Sequence, residues 1–147
     1  MRPFKNVCVV LACASLLLGQ FGCKTIDTLT TSTEFSQAAL TTDTQLKAAS
    51  LALIDRAKNK APYTGVATDV DALMAQVDSA IAAEQTRTKN APTIAQWKKI
   101  KEQLTTLFAL WKSKGTLSPA FVDDSRKQVG NLFDILIKTE NDKRASS

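Results

Sequence analysis

Trp97, Leu104 and Trp111 stand seven residues apart, and Ile100, Leu107 and Phe108 fall on the same side of a 3.6-residue turn. A stripe that wide and that apolar has to be buried against other elements. Recurrence at seven favours helices packed nearly parallel, at roughly 20°. Local signals bound this segment. Thr93 can cap it, Gln96 three residues later would complete a capping box, and Pro92 stops an upstream helix from running in. Lys112 and Lys114 suit the negative end of the helix dipole. Gly115 supplies a left-handed closing residue.

Three further stretches carry the same period. Residues 33–60 place Phe35, Ala39, Leu46, Ala49, Leu53 and Ala57 on one stripe, with Ile54 beside it. A second helix begins at Val66 or Thr68 and runs to Lys89, with Val70, Leu73, Met74, Val77 and Ile81 at helical spacing. The last opens on Ser118-Pro119, a cap followed by proline at the first helical position. Val122, Val129, Leu132, Phe133 and Leu136 form its stripe, and Lys143 and Arg144 lie near its end. The breaks at 61–65, 90–92 and 115–117 are short, which makes consecutive helices antiparallel neighbours. The sequence therefore predicts an all-α, antiparallel up-down four-helix bundle over residues 34–147. A three-helix bundle with a loose first helix is the runner-up, because that helix is rich in Ala and Thr.

The first 33 residues have another character. Arg2 and Lys5 precede an apolar run from Val7 to Leu18, and the small residue Gly22 precedes Cys23. A charged start, roughly 7–15 apolar residues and a small residue at the cut define a secretory signal. The run is shorter than the roughly 20 residues of a spanning helix. Cys8 and Cys13 lie inside it, so Cys23 would be a single thiol in an oxidising compartment. This layout resembles a bacterial lipoprotein precursor, although Gln20 stands where that family usually places an aliphatic or small residue. The resemblance implies cleavage before Cys23 and lipidation of its sulfur. It divides the chain into a signal peptide (1–22), a lipidated cysteine and tether (23–33) and the bundle. Thr25, Thr28, Thr30, Thr31, Ser32 and Thr33 dominate the tether, and such residues favour caps and turns over helix. Lys24 after the cysteine leans toward the outer membrane, by similarity to enteric lipoproteins.

Charge and residue types narrow the chemistry. Loss of Arg2 and Lys5 with the signal would take the net charge from +5 to +3, a mild value. Nucleic acid is not an expected partner of an exported chain. There is no histidine, which removes the commonest general base and metal ligand. With no cysteine beyond Cys23, thiol catalysis and structural zinc are not expected, and no cofactor or metal is. The acidic pairs Asp69 with Asp71 and Asp123 with Asp124 read as residues of first helical turns, where the dipole favours carboxylates. Glu84 continues the stripe of Val77 and Ile81 close to a helix end, where the stripe should have reached solvent. Trp97, Phe108 and Trp111 read as core, and Lys98, Lys99 and Lys101 as a solvated face.

The residues left over are apolar ones off the stripes. Leu110 and Ile135 point about 120° from their stripe centres, and Leu40 and Leu51 do something similar. Convergence of Leu110 and Ile135 would form a patch for a protein partner or a second copy. The functional expectation is a non-catalytic, membrane-anchored envelope lipoprotein whose bundle binds a protein partner as an assembly or stability factor. A phage- or plasmid-borne surface lipoprotein acting in exclusion or lysis is the alternative.

Overall fold

A computed structural model describes residues 34–146. The segments expected to be signal peptide and tether, with Cys23 between them, lie outside the described residues. Four α-helices follow one another: α1 (Gln37–Lys58), α2 (Ala67–Gln85), α3 (Ala91–Lys114) and α4 (Pro119–Ala145), with a 3₁₀ turn at Tyr63–Gly65. They close a ring in which α1 packs on α2, α2 on α3, α3 on α4 and α4 on α1. Cross-links between α1 and α4 fix the antiparallel register. Lys47 pairs with Asp134, Asp55 accepts from Arg126 at 2.8 Å, and Lys58 meets Asp123 at 2.8 Å. Numbers rise on α1 as they fall on α4. The fold is the expected four-helix bundle, and the first helix is an integral member of it. Among the described residues, no helix is long and apolar enough to cross a membrane.

Helix ends follow local chemistry, with corrections to the expected boundaries. Helix α1 starts at Gln37, not near residue 33, because Ser36 caps it, its Oγ accepting from the Ala39 amide at 3.2 Å. Phe35 therefore precedes the helix, and the Arg144 guanidinium sits 4.3 Å from its ring centre. Thr68 does not cap α2. The 3₁₀ turn feeds that helix directly, Val66 bonding back to Tyr63 and forward to Val70. Thr93 does not cap α3 either. Pro92 lies in the first turn, where its missing N–H and fixed φ cost nothing, so the proline opens the helix that it was expected to insulate. Ser118 does cap α4, accepting from Phe121 at 3.4 Å. Asp123 and Asp124 fall one turn further in than expected. Asp123 is there held below the usual carboxylate range chiefly by its hydrogen bond from Lys58.

The left-handed residues mark the helix stops. Gly115 ends α3 at φ 73°. After α1 the same role falls to Lys60, at φ 59°. Ala61 N–H bonds to the Arg56 carbonyl at 3.2 Å and Lys60 N–H to the Ala57 carbonyl at 3.0 Å. These are the paired bonds of a Schellman closure, with lysine where glycine is usual.

The core is built on heptads. α3 buries Trp97, Ile100, Leu104, Leu107, Phe108 and Trp111. Burial of side chains this size contributes roughly 1.5–3 kcal/mol each. Trp97 meets Phe133 edge-on at 5.7 Å, and Trp111 meets Tyr63 at 5.9 Å while donating to the Ala61 carbonyl at 3.1 Å. The aromatic residues of α3 are core, as expected, and its indoles pin both α4 and the first interhelical loop. Two buried polar atoms, Ser50 Oγ and Trp97 Nε1, have no hydrogen-bond partner among the described residues.

Candidate functional site

The heptad seams do not stop where their apolar residues do. Buried residues alternate at spacings of three and four through Asp43, Leu46, Ser50, Leu53 and Ala57 on α1. They do so through Val70, Leu73, Val77, Ala80 and Glu84 on α2. Thr93 extends the α3 seam upstream of Trp97, and Glu140 and Lys143 extend the α4 seam beyond Leu136. In an up-down bundle the start of α1, the end of α2, the start of α3 and the end of α4 share one end. The four extensions therefore meet there and form a buried polar layer.

The layer is densely hydrogen-bonded. Arg87, in the turn after α2, donates through Nη1 to the two Glu84 oxygens at 3.0 and 2.8 Å, and through Nη2 to Glu140 Oε1 at 2.8 Å. Lys143 Nζ donates to Glu140 Oε2 at 2.6 Å and to Asn90 Oδ1 and Thr93 Oγ1 at 3.1 Å each. Asn90 Nδ2 donates to the Glu84 carboxylate and to the Glu84 carbonyl. Asn90, at the N-cap position of α3 but without a side-chain cap bond, and Thr93 are thus turned inward toward the charges. Glu140 is 1% exposed, so a carboxylate here must be paired. Burial pushes its carboxyl up, but hydrogen bonds from Arg87, Lys143 and the Ser36 amide outweigh that and hold it below its ordinary value. Burial likewise pulls the Arg87 guanidinium down, and its bonds to Glu140 and Glu84 more than restore it.

Two features give the layer more than a packing role. It grips the segment that leads into the bundle: Ser36 N–H donates to Glu140 Oε1 at 2.6 Å, and Arg87 Nη2 donates to the Glu34 carbonyl. It also holds an odd carboxyl. Asp43 is 2% exposed, and no described residue hydrogen-bonds to it. Burial first, then the charges of Glu84 and Glu140, push its carboxyl up to about 7, against the pull of Lys143 and Arg87. A cleft of about 270 Å³, lined by Asn90, Pro92, Thr93, Thr139, Asp142 and Lys143 among others, opens beside the layer. Among the described residues, no group of three or more acidic, His or Cys side chains is placed to hold a metal ion.

The residues expected to matter are distributed differently. Glu84 is buried at 4% exposure, a correction to its expected solvent position, because Arg87 and Asn90 meet it from beyond the helix end. Lys143, near the end of α4, is buried as well. Ile135 is exposed, at 48%, whereas Leu110 is half-buried against the core, as is Leu51. The Trp97–Phe133 contact puts Ile135 level with residue 95 or so of α3. At 1.5 Å per residue, that is about 22 Å along the axis from Leu110. The two do not form one patch. Lys98 and Lys99 are exposed, and Lys101 pairs with Asp78. Sequence reasoning missed Asp43, Arg87, Asn90, Glu140 and Lys143. The available signal was the alternating three-four spacing, continued through polar residues. No family model, curated protein or solved structure matches the chain.

Proposed function

We propose that the chain is a lipid-anchored envelope protein without chemistry of its own, whose bundle binds a protein partner. In this reading, signal cleavage leaves Cys23 acylated, with the outer membrane as its site. What supports it most is the grip of Glu140 and Arg87 on residues 34–36. A tether from Cys23 to Thr33 spans at most about 3.3–3.6 Å per residue. A bundle clamped at the point where such a tether joins it is held close to the surface, polar-layer end inward. Apart from Asp43, the buried charges of that end pair with one another and with the leading segment, which suits a mount more than a reaction centre. The partner surface then lies on the flanks, where Ile135 is the more exposed of two large apolar residues of α4, the other being Phe121. A second copy could occupy it as well as a different protein.

Cys23→Ser separates this reading from a plain secreted chain. Intact mass and fractionation of the wild type should show a mature chain that begins at an acylated Cys23 and sediments with membranes. The variant should lose the acyl mass and accumulate as precursor. A mature, unmodified wild-type chain would end the proposal. Ile135→Asp in the acylated chain should keep the helical signal and lose capture of the partner from envelope extract. Unchanged capture would move the binding surface elsewhere.

A further inference from the structure

The polar layer brings three carboxyls, Asp43, Glu84 and Glu140, against two cations, Arg87 and Lys143. We propose that Asp43 is the proton-dependent element of a clasp that fastens residues 34–36 to the bundle, shut while Asp43 is protonated and loosened when it ionises.

Every element packed around Asp43 contributes to this count. Its own helix offers no counter-charge nearby, since Lys47, one turn on, is paired with Asp134. From α2 and the turn after it come Glu84 and Arg87, and from α4 come Glu140 and Lys143. The α3 side brings Thr93 and Asn90, which are uncharged. Among the described residues, Arg87 and Lys143 donate to Glu84, Glu140, Asn90, Thr93 and the Glu34 carbonyl, and none of these bonds reaches Asp43. With Asp43 protonated the layer is neutral. Once it ionises, the layer carries an extra buried negative charge with no hydrogen bond from a described residue to offset its desolvation.

The relief closest to hand is a cation. Arg87 is the more accessible of the two, its side chain 17% exposed against 8% for Lys143. It is also the side chain that bridges Glu84, Glu140 and the Glu34 carbonyl. A swing of Arg87 toward Asp43 therefore withdraws two hydrogen bonds from Glu140 and, among the described residues, the side-chain donor of the Glu34 carbonyl. The Ser36–Glu140 bond loses its neighbour, and the leading segment is freed. Burial and the facing carboxylates push the Asp43 carboxyl up to about 7, which puts the change in the neutral range. The clasp does not depend on acylation of Cys23. Anchoring would only convert its opening into a change in how firmly the bundle is held.

The test uses the full-length chain in detergent micelles. Carbon NMR follows the Asp43 carboxyl, and amide exchange follows Ser36. Asp43 should titrate near neutrality, and Ser36 protection, corrected for the intrinsic pH dependence of exchange, should fall about tenfold between about pH 6 and about pH 8. Asp43→Asn should keep Ser36 protected across that range. Glu84→Gln, which removes one facing charge, should lower the Asp43 midpoint, with Ser36 protection following it. An Asp43 that titrates in the ordinary carboxylate range overturns the clasp. So does Ser36 protection that ignores the Asp43 titration in the wild type, a result that stands even if a variant fails to fold.

Discussion

Single residues in this bundle are read by what they leave unpaired. Ser50 occupies a heptad core position of α1 and is fully buried, yet its hydroxyl has no partner among the described residues. A buried hydroxyl without a hydrogen bond costs about 1–3 kcal/mol of desolvation. Ser50→Ala removes the oxygen and keeps the best helix former in its place. We expect it to raise stability by about 1 kcal/mol in urea unfolding, with the slope of the transition unchanged. A loss would show that the hydroxyl is satisfied in solution. Asp43, buried in the polar layer, cannot be treated the same way, because its cost depends on whether it holds a proton.

At the scale of elements, the helices are bounded by strong local signals, and two places depart from the best local choice. Lys60 closes α1 in the left-handed region that glycine adopts without penalty. Lys60→Gly should stabilise the protein by about 1 kcal/mol, because the Schellman bonds are already in place and only backbone strain is removed. Gly130 lies inside α4, where glycine weakens a helix. A Cβ there would meet only Leu51 Cδ2, at 4.0 Å, an ordinary contact. Gly130→Ala should add roughly 0.5–1 kcal/mol. Thermal melts of the two single variants and the double should give additive gains, since the sites share no partner. A destabilised Gly130→Ala would mean that α4 and α1 pack more closely there than the 4.0 Å spacing allows. The α3 boundary carries a related lesson. Pro92 marks a helix end on either reading of the sequence, but whether it stops one helix or starts the next depends on what Asn90 and Thr93 do with their side chains.

The whole molecule joins an apolar core to one charged end, and its stability should depend on pH through that end. Asp43 has a raised folded value, about 7 against an ordinary 3.8, so the folded state holds its proton where the unfolded chain has released it. Its contribution is complete below about pH 4 and is lost as pH rises toward about 7. Glu140 has the opposite sign. Its folded value is lowered, so its contribution is present above the ordinary carboxylate range and is lost as pH falls through the lowered value. The two limbs place maximum stability in mild acid. From there to about pH 8 the fall should be on the order of 2 kcal/mol, allowing for solvent screening at the bundle end. Urea unfolding over that range checks it, and Asp43→Asn should flatten the neutral limb while leaving the acid limb alone. Mutating Glu140 to Gln should do the reverse. Buried ionic layers of this kind stabilise less than apolar packing would, but each partner strongly penalises a fold in which its counterpart is elsewhere. Arg87 and Lys143 can both be satisfied only when the ends of α2 and α4 meet, which ties the layer to the register of the bundle.

Helix number, helix faces and most breaks are properties of short stretches, and these the sequence determined unaided. An apolar stripe with proline, glycine or a hydroxyl at its ends must be buried wherever the chain goes, so Leu104, Trp111, Val129 and Phe133 were legible as core. The polar layer was not legible in that way. On its own helix each of Asp43, Glu84, Glu140 and Lys143 reads as a stripe reaching water, because a charge is buried only where an opposite charge or a donor awaits it. Two of those pairs are local, Glu84 with Arg87 and Glu140 with Lys143, but the contacts that bury them come from other elements: Arg87 lies 53 positions from Glu140, and Lys143 lies 50 from Thr93. Only the closing of the ring brought them to one end. The burial of those charges, the grip on Ser36 and the unmatched carboxyl of Asp43 were therefore decided by tertiary structure, through electrostatics that no single helix contains.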